Sequence, residues 1–148
     1  MSPETSIPGD LTRHLLARAR ERDDDPAAAR RACDWVSAEF SRWVGVRGYE
    51  AIFARALAET RPAYPALGQI RYQVTPEQSV AGVGESVGAH GADATAQALA
   101  ALLESILAIC TRLVGGDIVA TLVEKTMESS ARDNHRRGDN LDQRSARS

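Results

Sequence analysis

Two long apolar helical patterns that each run into a glycine constrain the fold of this chain more than any other feature. The first is found in SRWVGVRGYEAIF, residues 41–53, and the second in TRLVGGDIVATLV, residues 111–123. Apolar residues recur every three or four positions on both sides of each glycine, which is typical of amphipathic helices. A glycine allows the chain to reverse through positive φ where two helix backbones meet closely. Each stretch therefore predicts an αα-hairpin with a glycine corner.

The two predicted corners resemble each other in sequence. Residues 41–45, SRWVG, align with residues 111–115, TRLVG. A single hairpin leaves its apolar stripe in water, whereas two hairpins can cover each other. We therefore predict an all-α fold, a helical bundle of about five helices built from two αα-hairpins, residues 27–60 and 94–130, with a pseudo-twofold relation.

The periodicity predicts helices over residues 11–22, 27–44, 48–60, 94–114 and 118–130. Aspartates stand where N-caps are needed, at Asp10, Asp25, Asp93 and Asp117. The predicted core stripes extend into both corners and include Trp43, Val44, Leu113, Val114 and Ile118.

The domain organisation follows from the segments between and around these helices. Residues 1–9 and the charged tail, residues 131–148, have few apolar side chains, so we expect both to be disordered around a single helical domain, residues 10–130. Between the hairpins, Ile70, Tyr72 and Val74 alternate as in a short extended segment. Residues 76–92 are rich in glycine and predict an irregular loop.

The composition is that of a soluble globular domain: 43% hydrophobic residues, 26% charged residues and a net charge of -2. This balance does not predict a nucleic-acid partner. Arginine outnumbers lysine 17 to 1, which indicates a bacterial genome of biased base composition. The start of the chain does not resemble a signal peptide, and the run ALAALLESILAIC is interrupted by polar residues, so we expect a cytoplasmic protein without a membrane partner. Cys33 and Cys110 lie in predicted helices and are expected to be buried thiols.

Several of these residues form a recurring pattern, V-G-x-x-G-x-x-A-x-x-x-R-A-L, followed by Pro-x-Leu and later by a leucine-rich helix with an L-[IV]-G-x-D corner. The pattern resembles that of a group of small, uncharacterised bacterial helical proteins over about residues 33–127. The resemblance implies an all-helical fold and no catalytic residues. The glycine-rich middle departs from the pattern of the group. The matching residues are Val44, Gly45, Gly48, Ala51, Arg55, Ala56, Leu57, Pro65, Leu67, Leu113, Val114, Gly115 and Asp117.

The sequence GESVG, residues 84–88, matches the G-x-S-x-G nucleophile elbow of α/β-hydrolases, with Ser86 as the nucleophile. Asp117 or Asp133, followed by His135, would keep the order serine, acid, histidine. The elbow requires a parallel sheet, however, and the flanking segments predict helices. We therefore expect a flexible loop here, with a small serine hydrolase as an alternative.

Other candidate sites are weaker. Gly82 and Gly84 lack the strand–turn–helix context of a dinucleotide fingerprint, and the histidines are spread over separate segments without a cysteine at ligand spacing. The consecutive carboxylates of residues 23–25 suit a helix N-terminus better than a metal site. We therefore predict no catalytic residues, no cofactor and no metal.

These considerations favour a non-enzymatic helical interaction or regulatory module that acts through protein–protein contacts, either with another protein or by self-association. An exposed cluster of Trp35, Tyr49, Tyr64 and Tyr72 would mark a binding patch, unless residues 62–75 fold back over Trp35. Besides the hydrolase, a second alternative to the interaction module is a bundle that binds a small apolar ligand between the hairpins, with residues 76–92 as a gate.

Overall fold

The computed structural model of this protein describes residues 3–21, 24–73 and 80–128, with side chains from residue 8 onward. The chain folds into an all-α bundle, as the periodicity predicts. Its long helices are α1 (Pro3–Arg20), α2 (Asp25–Val44), α3 (Val46–Thr60), α5 (Ala92–Val114) and α6 (residues 116–128). Between α3 and α5 lie a 3-10 helix (Pro65–Gln69), β1 (Arg71–Tyr72), β2 (Val80–Ala81) and the short helix α4 (Val83–His90).

Each predicted hairpin turns at a single glycine. Gly45 (φ 82°, ψ 161°) separates α2 from α3, and Gly115 (φ 94°, ψ 154°) separates α5 from α6. Only glycine adopts this backbone region readily. The glycine carbonyl also accepts the first hydrogen bond of the new helix, from Tyr49 N at 3.0 Å in one case and Val119 N at 3.2 Å in the other. The corner glycine is therefore itself the N-cap, and the prediction of Asp117 as the cap is wrong.

Helices α2 and α5 run parallel to each other, in contact along their length. Asp25 and Pro26 line one cleft together with Ala92 and Asp93. Further along both helices, the thiol of Cys33 lies 3.9 Å from the carbonyl oxygen of Leu99. Sequence position therefore increases in the same direction on both helices. By this register Val44 is level with about residue 110, so the corners at Gly45 and Gly115 lie at the same end of the bundle.

The core confirms that the two hairpins bury each other's apolar stripes. Helix α5 packs against both α2 and α3, while α1 covers α2 and α5. The largest side chains in this core are fully buried: Leu15, Val36, Tyr49, Phe53, Leu67, Ile70, Val80, Leu99, Leu102, Leu103, Ile106 and Leu107. Between α3 and β1, Tyr72 packs on Tyr49 and Phe53, with ring centroids 5.8 and 5.2 Å apart. The segment between the hairpins is thus part of the core.

The prediction of an irregular glycine-rich loop over residues 76–92 is wrong for its second half. Residues 83–90 form α4, and β2 before it pairs antiparallel with β1, Tyr72 opposite Val80. Glycine lowers helix propensity, but tertiary contacts of α4 with the 3-10 helix and α5 outweigh that cost. The predicted extended segment is confirmed at Tyr72, while Val74 lies outside the described residues.

The N-terminal helix also differs from its prediction. Helix α1 begins at Pro3, well before the expected start at residue 11, so most of the segment predicted to be disordered is helical. Asp10 lies inside this helix, where its side chain pairs with Arg13, and it is not a cap. Likewise Gly91, not Asp93, precedes the first residue of α5, and Asp24, not Asp25, precedes the first residue of α2. The predicted disordered tail, residues 131–148, lies outside the described residues.

Candidate interaction surface

Large apolar side chains are exposed at the end of the bundle where both glycine corners lie. Trp43 is 58% exposed and Leu113 is 63% exposed. Each of them lies two residues before the glycine of its corner. We call this end the tip and define its apolar surface by the exposed large hydrophobic residues of the described chain: Trp43, Val44, Val46, Leu113, Val114 and Ile118. Each of the two corners contributes three of them. Both halves of the repeat therefore contribute exposed apolar side chains to the same end of the bundle.

The sequence patterns place these side chains in the core, and for the tip this prediction is wrong. The stripe of α2 is buried as far as Phe40, and that of α5 as far as Cys110. Beyond these residues the chain reverses, and no described helix extends past the corners to cover the last turn. A helical period reports which residues share a face, but it does not report how far the neighbouring helix reaches.

A third glycine corner shows that exposed apolar residues are not a requirement of this backbone geometry. Gly91, between α4 and α5, has φ 94° and ψ 161°, which is nearly the conformation of Gly115. Its exposed neighbours are Ala89, His90, Ala92 and Asp93, which are small or polar. The turn itself therefore does not explain why tryptophan, leucine, valine and isoleucine stand at the other two corners.

The charges that border the tip differ between the two corners. Arg47 follows Gly45 by two residues and Asp117 follows Gly115 by two residues, so the repeat places opposite charges at equivalent positions. Both are exposed, and neither makes an ion pair within the described part of the chain. Arg42, in contrast, lies 3.8 Å from the carboxylate of Glu39. Within the described residues, one corner thus presents a cation without an ion-pair partner and the other an anion without one.

The exposed aromatic patch that the sequence left open around the first corner is not formed. Tyr49 is fully buried, and Trp35, Tyr64 and Tyr72 are partly buried against the core. Trp43 is the exposed aromatic residue at the corner. The available signal was that both repeats carry a large apolar residue two positions before the glycine, Trp43 in one and Leu113 in the other.

Ser86, the candidate nucleophile, lies in the interior. It projects from α4 into the bundle with no exposed surface, and its hydroxyl donates a hydrogen bond to the carbonyl oxygen of Ala66 at 2.9 Å. The hydroxyl oxygen of Thr95, on α5, lies 2.8 Å from the hydroxyl oxygen of Ser86. His135 and Asp133 lie outside the described residues, and Asp117 is at the tip. The Ser86 hydroxyl therefore links α4 to the 3-10 helix and to α5 through buried hydrogen bonds. A substrate has no access to the hydroxyl oxygen of Ser86.

The dinucleotide and metal alternatives gain no support from the geometry. Gly84 is inside α4 and Gly82 immediately precedes it, so the glycines do not form a phosphate-binding loop. His14 and His90 are exposed on different helices. Within residues 3–21, 24–73 and 80–128, no group of three or more histidine, cysteine or carboxylate side chains is arranged to hold a metal ion.

A cleft lined by both charged and apolar residues lies at the end of the bundle opposite the tip. It has a volume of about 230 Å³ and lies between α1, α2 and α5. Arg20 pairs across it with Asp25 at 3.1 Å. The complete lining is Leu16, Arg20, Asp25, Ala29, Asp93, Ala96, Gln97 and Ala100. The cleft is not between the hairpin corners, and its carboxylates do not suit a purely apolar ligand.

Three titratable groups in the core are held in their neutral forms. Burial raises the pKa of the Cys110 thiol to about 11, and it raises the pKa of the Cys33 thiol much further, with a smaller effect of Asp34. Burial also raises the pKa of the Tyr49 hydroxyl well above its ordinary value. Both cysteines are free and buried, as predicted. Such thiols are poor nucleophiles, since the thiolate is the reactive form.

Helix α5 is the described helix that is long and apolar enough to cross a membrane, with 23 residues and a mean hydropathy of 1.6 over its most apolar window. The expectation of no membrane partner therefore stays a prediction. The same composition is found in core helices of soluble proteins, and 44% of that window is buried within the bundle.

Comparison with known proteins does not extend this description. The chain matches no protein-family model, no curated protein and no solved structure at a significant level. The resemblance to small bacterial helical proteins stays a prediction.

Proposed function

We propose that this protein is a non-enzymatic helical interaction module, regulatory in role, that acts in a bacterial cytoplasm through protein–protein contacts made by the tip. The observation that carries the proposal is the concentration of exposed large apolar side chains at the two corners that share one end of the bundle. Large apolar side chains that are exposed together at one end of a domain are characteristic of interaction sites. Trp43, the aromatic residue of the tip, is of the type that is enriched in interface cores and among the residues that carry most binding energy.

The comparison with Gly91 supports the same conclusion. The same turn conformation is compatible with small and polar neighbours, so the apolar residues at Gly45 and Gly115 are not explained by folding. Trp43 and Leu113 are mostly exposed and contribute little to the core. A role in binding accounts for their presence.

Site-specific photo-crosslinking in cells tests this proposal. A photoreactive amino acid replaces Leu113 in one variant and Ala89, which is exposed beside the Gly91 corner, in the control. We expect defined protein adducts from position 113, and their loss when Trp43→Ser is added, with none from position 89. Equal labelling from both positions, or no adduct from position 113, would contradict the proposal.

A further inference from the structure

We propose that the tip joins two copies of this chain in a two-fold dimer, with the first corner of each copy against the second corner of the other. This inference rests on the proposed function and names the partner of the same surface. Each copy carries both corners at one end, because α2 and α5 run parallel. A surface made of two equivalent halves can meet itself across a two-fold axis, as an isologous interface requires.

The charges at the two corners favour one of the two possible arrangements of the dimer. If each corner met the same corner of the other copy, Arg47 would lie against Arg47 and Asp117 against Asp117. If the first corner meets the second, Arg47 lies against Asp117 twice, once on each side of the axis. Since neither residue has an ion-pair partner within the described chain, the crossed arrangement satisfies both charges. Like charges in juxtaposition would oppose the other arrangement.

The size of the tip sets the expected strength of the dimer. The apolar surface consists of six residues, whereas a standard interface involves about 20–30 residues on each side. The dimer is therefore weak and forms in a concentration-dependent manner. Trp43 and Leu113, the most exposed of the six, are expected to contribute most, because burying them removes the largest apolar area from water.

Sedimentation equilibrium of the full chain over a wide concentration range, from about 1 to about 500 μM, tests the inference. We expect a monomer–dimer equilibrium in which Leu113→Ser weakens association by at least about tenfold. Arg47→Asp and Asp117→Arg should each weaken it to a similar degree, and the double variant R47D/D117R should restore it towards the wild-type value. Arg55→Asp, on the side of α3, is the matched charge control and should leave the equilibrium unchanged. Circular dichroism of each variant verifies that the bundle is folded.

Two results of this experiment would overturn the inference directly. The first is a chain that stays monomeric over the whole concentration range, and the second is a double variant that associates as weakly as the single charge variants. Binding of the monomer to vesicles with anionic lipid, abolished by Leu113→Ser, would assign the tip to a membrane instead. A monomeric chain whose position 113 still crosslinks to a different protein would remove the dimer and leave the proposed function intact. A dimer unaffected by all tip variants would contradict the assignment of the tip as the self-association surface.

Discussion

The two ends of the bundle are built from the same helix–glycine–helix corner but carry opposite kinds of surface. At the tip, the corners at Gly45 and Gly115 are bordered by Trp43 and Leu113. At the other end, Gly91 has nearly the same conformation, but its exposed neighbours are small or polar, and the cleft at this end contains the carboxylates of Asp25 and Asp93. Corner geometry and surface chemistry are therefore independent. The glycine sets the direction of the next helix, and the flanking residues determine what the end can bind.

The largest expected effect is a difference in stability loss between a core residue and a tip residue of the same helix. Leu103 and Leu113 both lie on α5, but Leu103 is fully buried and Leu113 is mostly exposed. Leu103→Ala should lower the free energy of unfolding by about 2–5 kcal/mol, because it leaves a cavity. Leu113→Ala should change it by less than about 0.5 kcal/mol. Urea denaturation of both variants measures the difference, and equal losses would show that the tip belongs to the folding core.

A corner glycine and a helical glycine should respond in opposite directions to alanine. Gly115→Ala places a Cβ at φ 94° and should cost about 1–3 kcal/mol. Gly88→Ala lies within α4, where a Cβ would meet no atom within 4 Å, and should raise stability by up to about 1 kcal/mol. Thermal denaturation followed by circular dichroism tests both variants. A gain in stability from Gly115→Ala would refute the corner geometry.

Substitution of Ser86 tests whether its hydroxyl stabilises the fold or acts as a catalytic nucleophile. Ser86→Ala removes the donor to Ala66 and should cost about 1–3 kcal/mol, because buried polar partners lose a hydrogen bond. Ser41→Ala is the control, since that hydroxyl makes a longer bond, 3.3 Å, at an exposed site. A fluorophosphonate probe should leave folded wild-type protein unlabelled. Covalent labelling at Ser86 would support the hydrolase alternative.

The neutral core groups predict a loss of stability at alkaline pH. In the unfolded chain the thiols ionise near pH 9, whereas burial holds the pKa of Cys110 at about 11 in the folded chain. Above pH 9 the unfolded state therefore binds fewer protons than the folded state. The stability that these thiols contribute to the folded state is fully present below pH 9. It is lost as the pH rises, and the free energy of unfolding falls by at most about 1.4 kcal/mol per pH unit for each group. The urea midpoint should fall between pH 8 and 10.5, and it should fall less in Cys110→Ala. An unchanged or rising midpoint in the wild type would contradict this.

The fold was largely predictable because its strongest signals are local. Apolar spacing defines α2, α3 and α5, and Gly45 and Gly115 mark the corners to the residue. The middle segment was not predictable in the same way. Helix α4 contains two glycines and has little intrinsic preference for helix, so its structure depends on tertiary contacts that include the buried hydroxyl of Ser86. Propensity and periodicity carry no information about such contacts.

The candidate site was missed for a related reason. Trp43 and Leu113 continue the apolar spacing of the buried stripes, so sequence alone assigns them to the core. Their exposure depends on where the neighbouring helices end, which is a property of the assembled bundle. The similarity of SRWVG and TRLVG was visible in the sequence, but the parallel register of α2 and α5 was required to bring the two corners to one end.

The parallel arrangement of α2 and α5 is the central claim, and distances between spin labels measure it most directly. Labels are placed at the exposed positions Arg42, Asp93 and Arg112, in pairs, with Cys33 and Cys110 replaced by alanine and the labelled chain diluted with unlabelled protein. Helix α5 is about 35 Å long at ~1.5 Å per residue. The account predicts that the 42–112 distance is much shorter than the 42–93 distance. A 42–93 distance shorter than the 42–112 distance would place the corners at opposite ends and remove the tip.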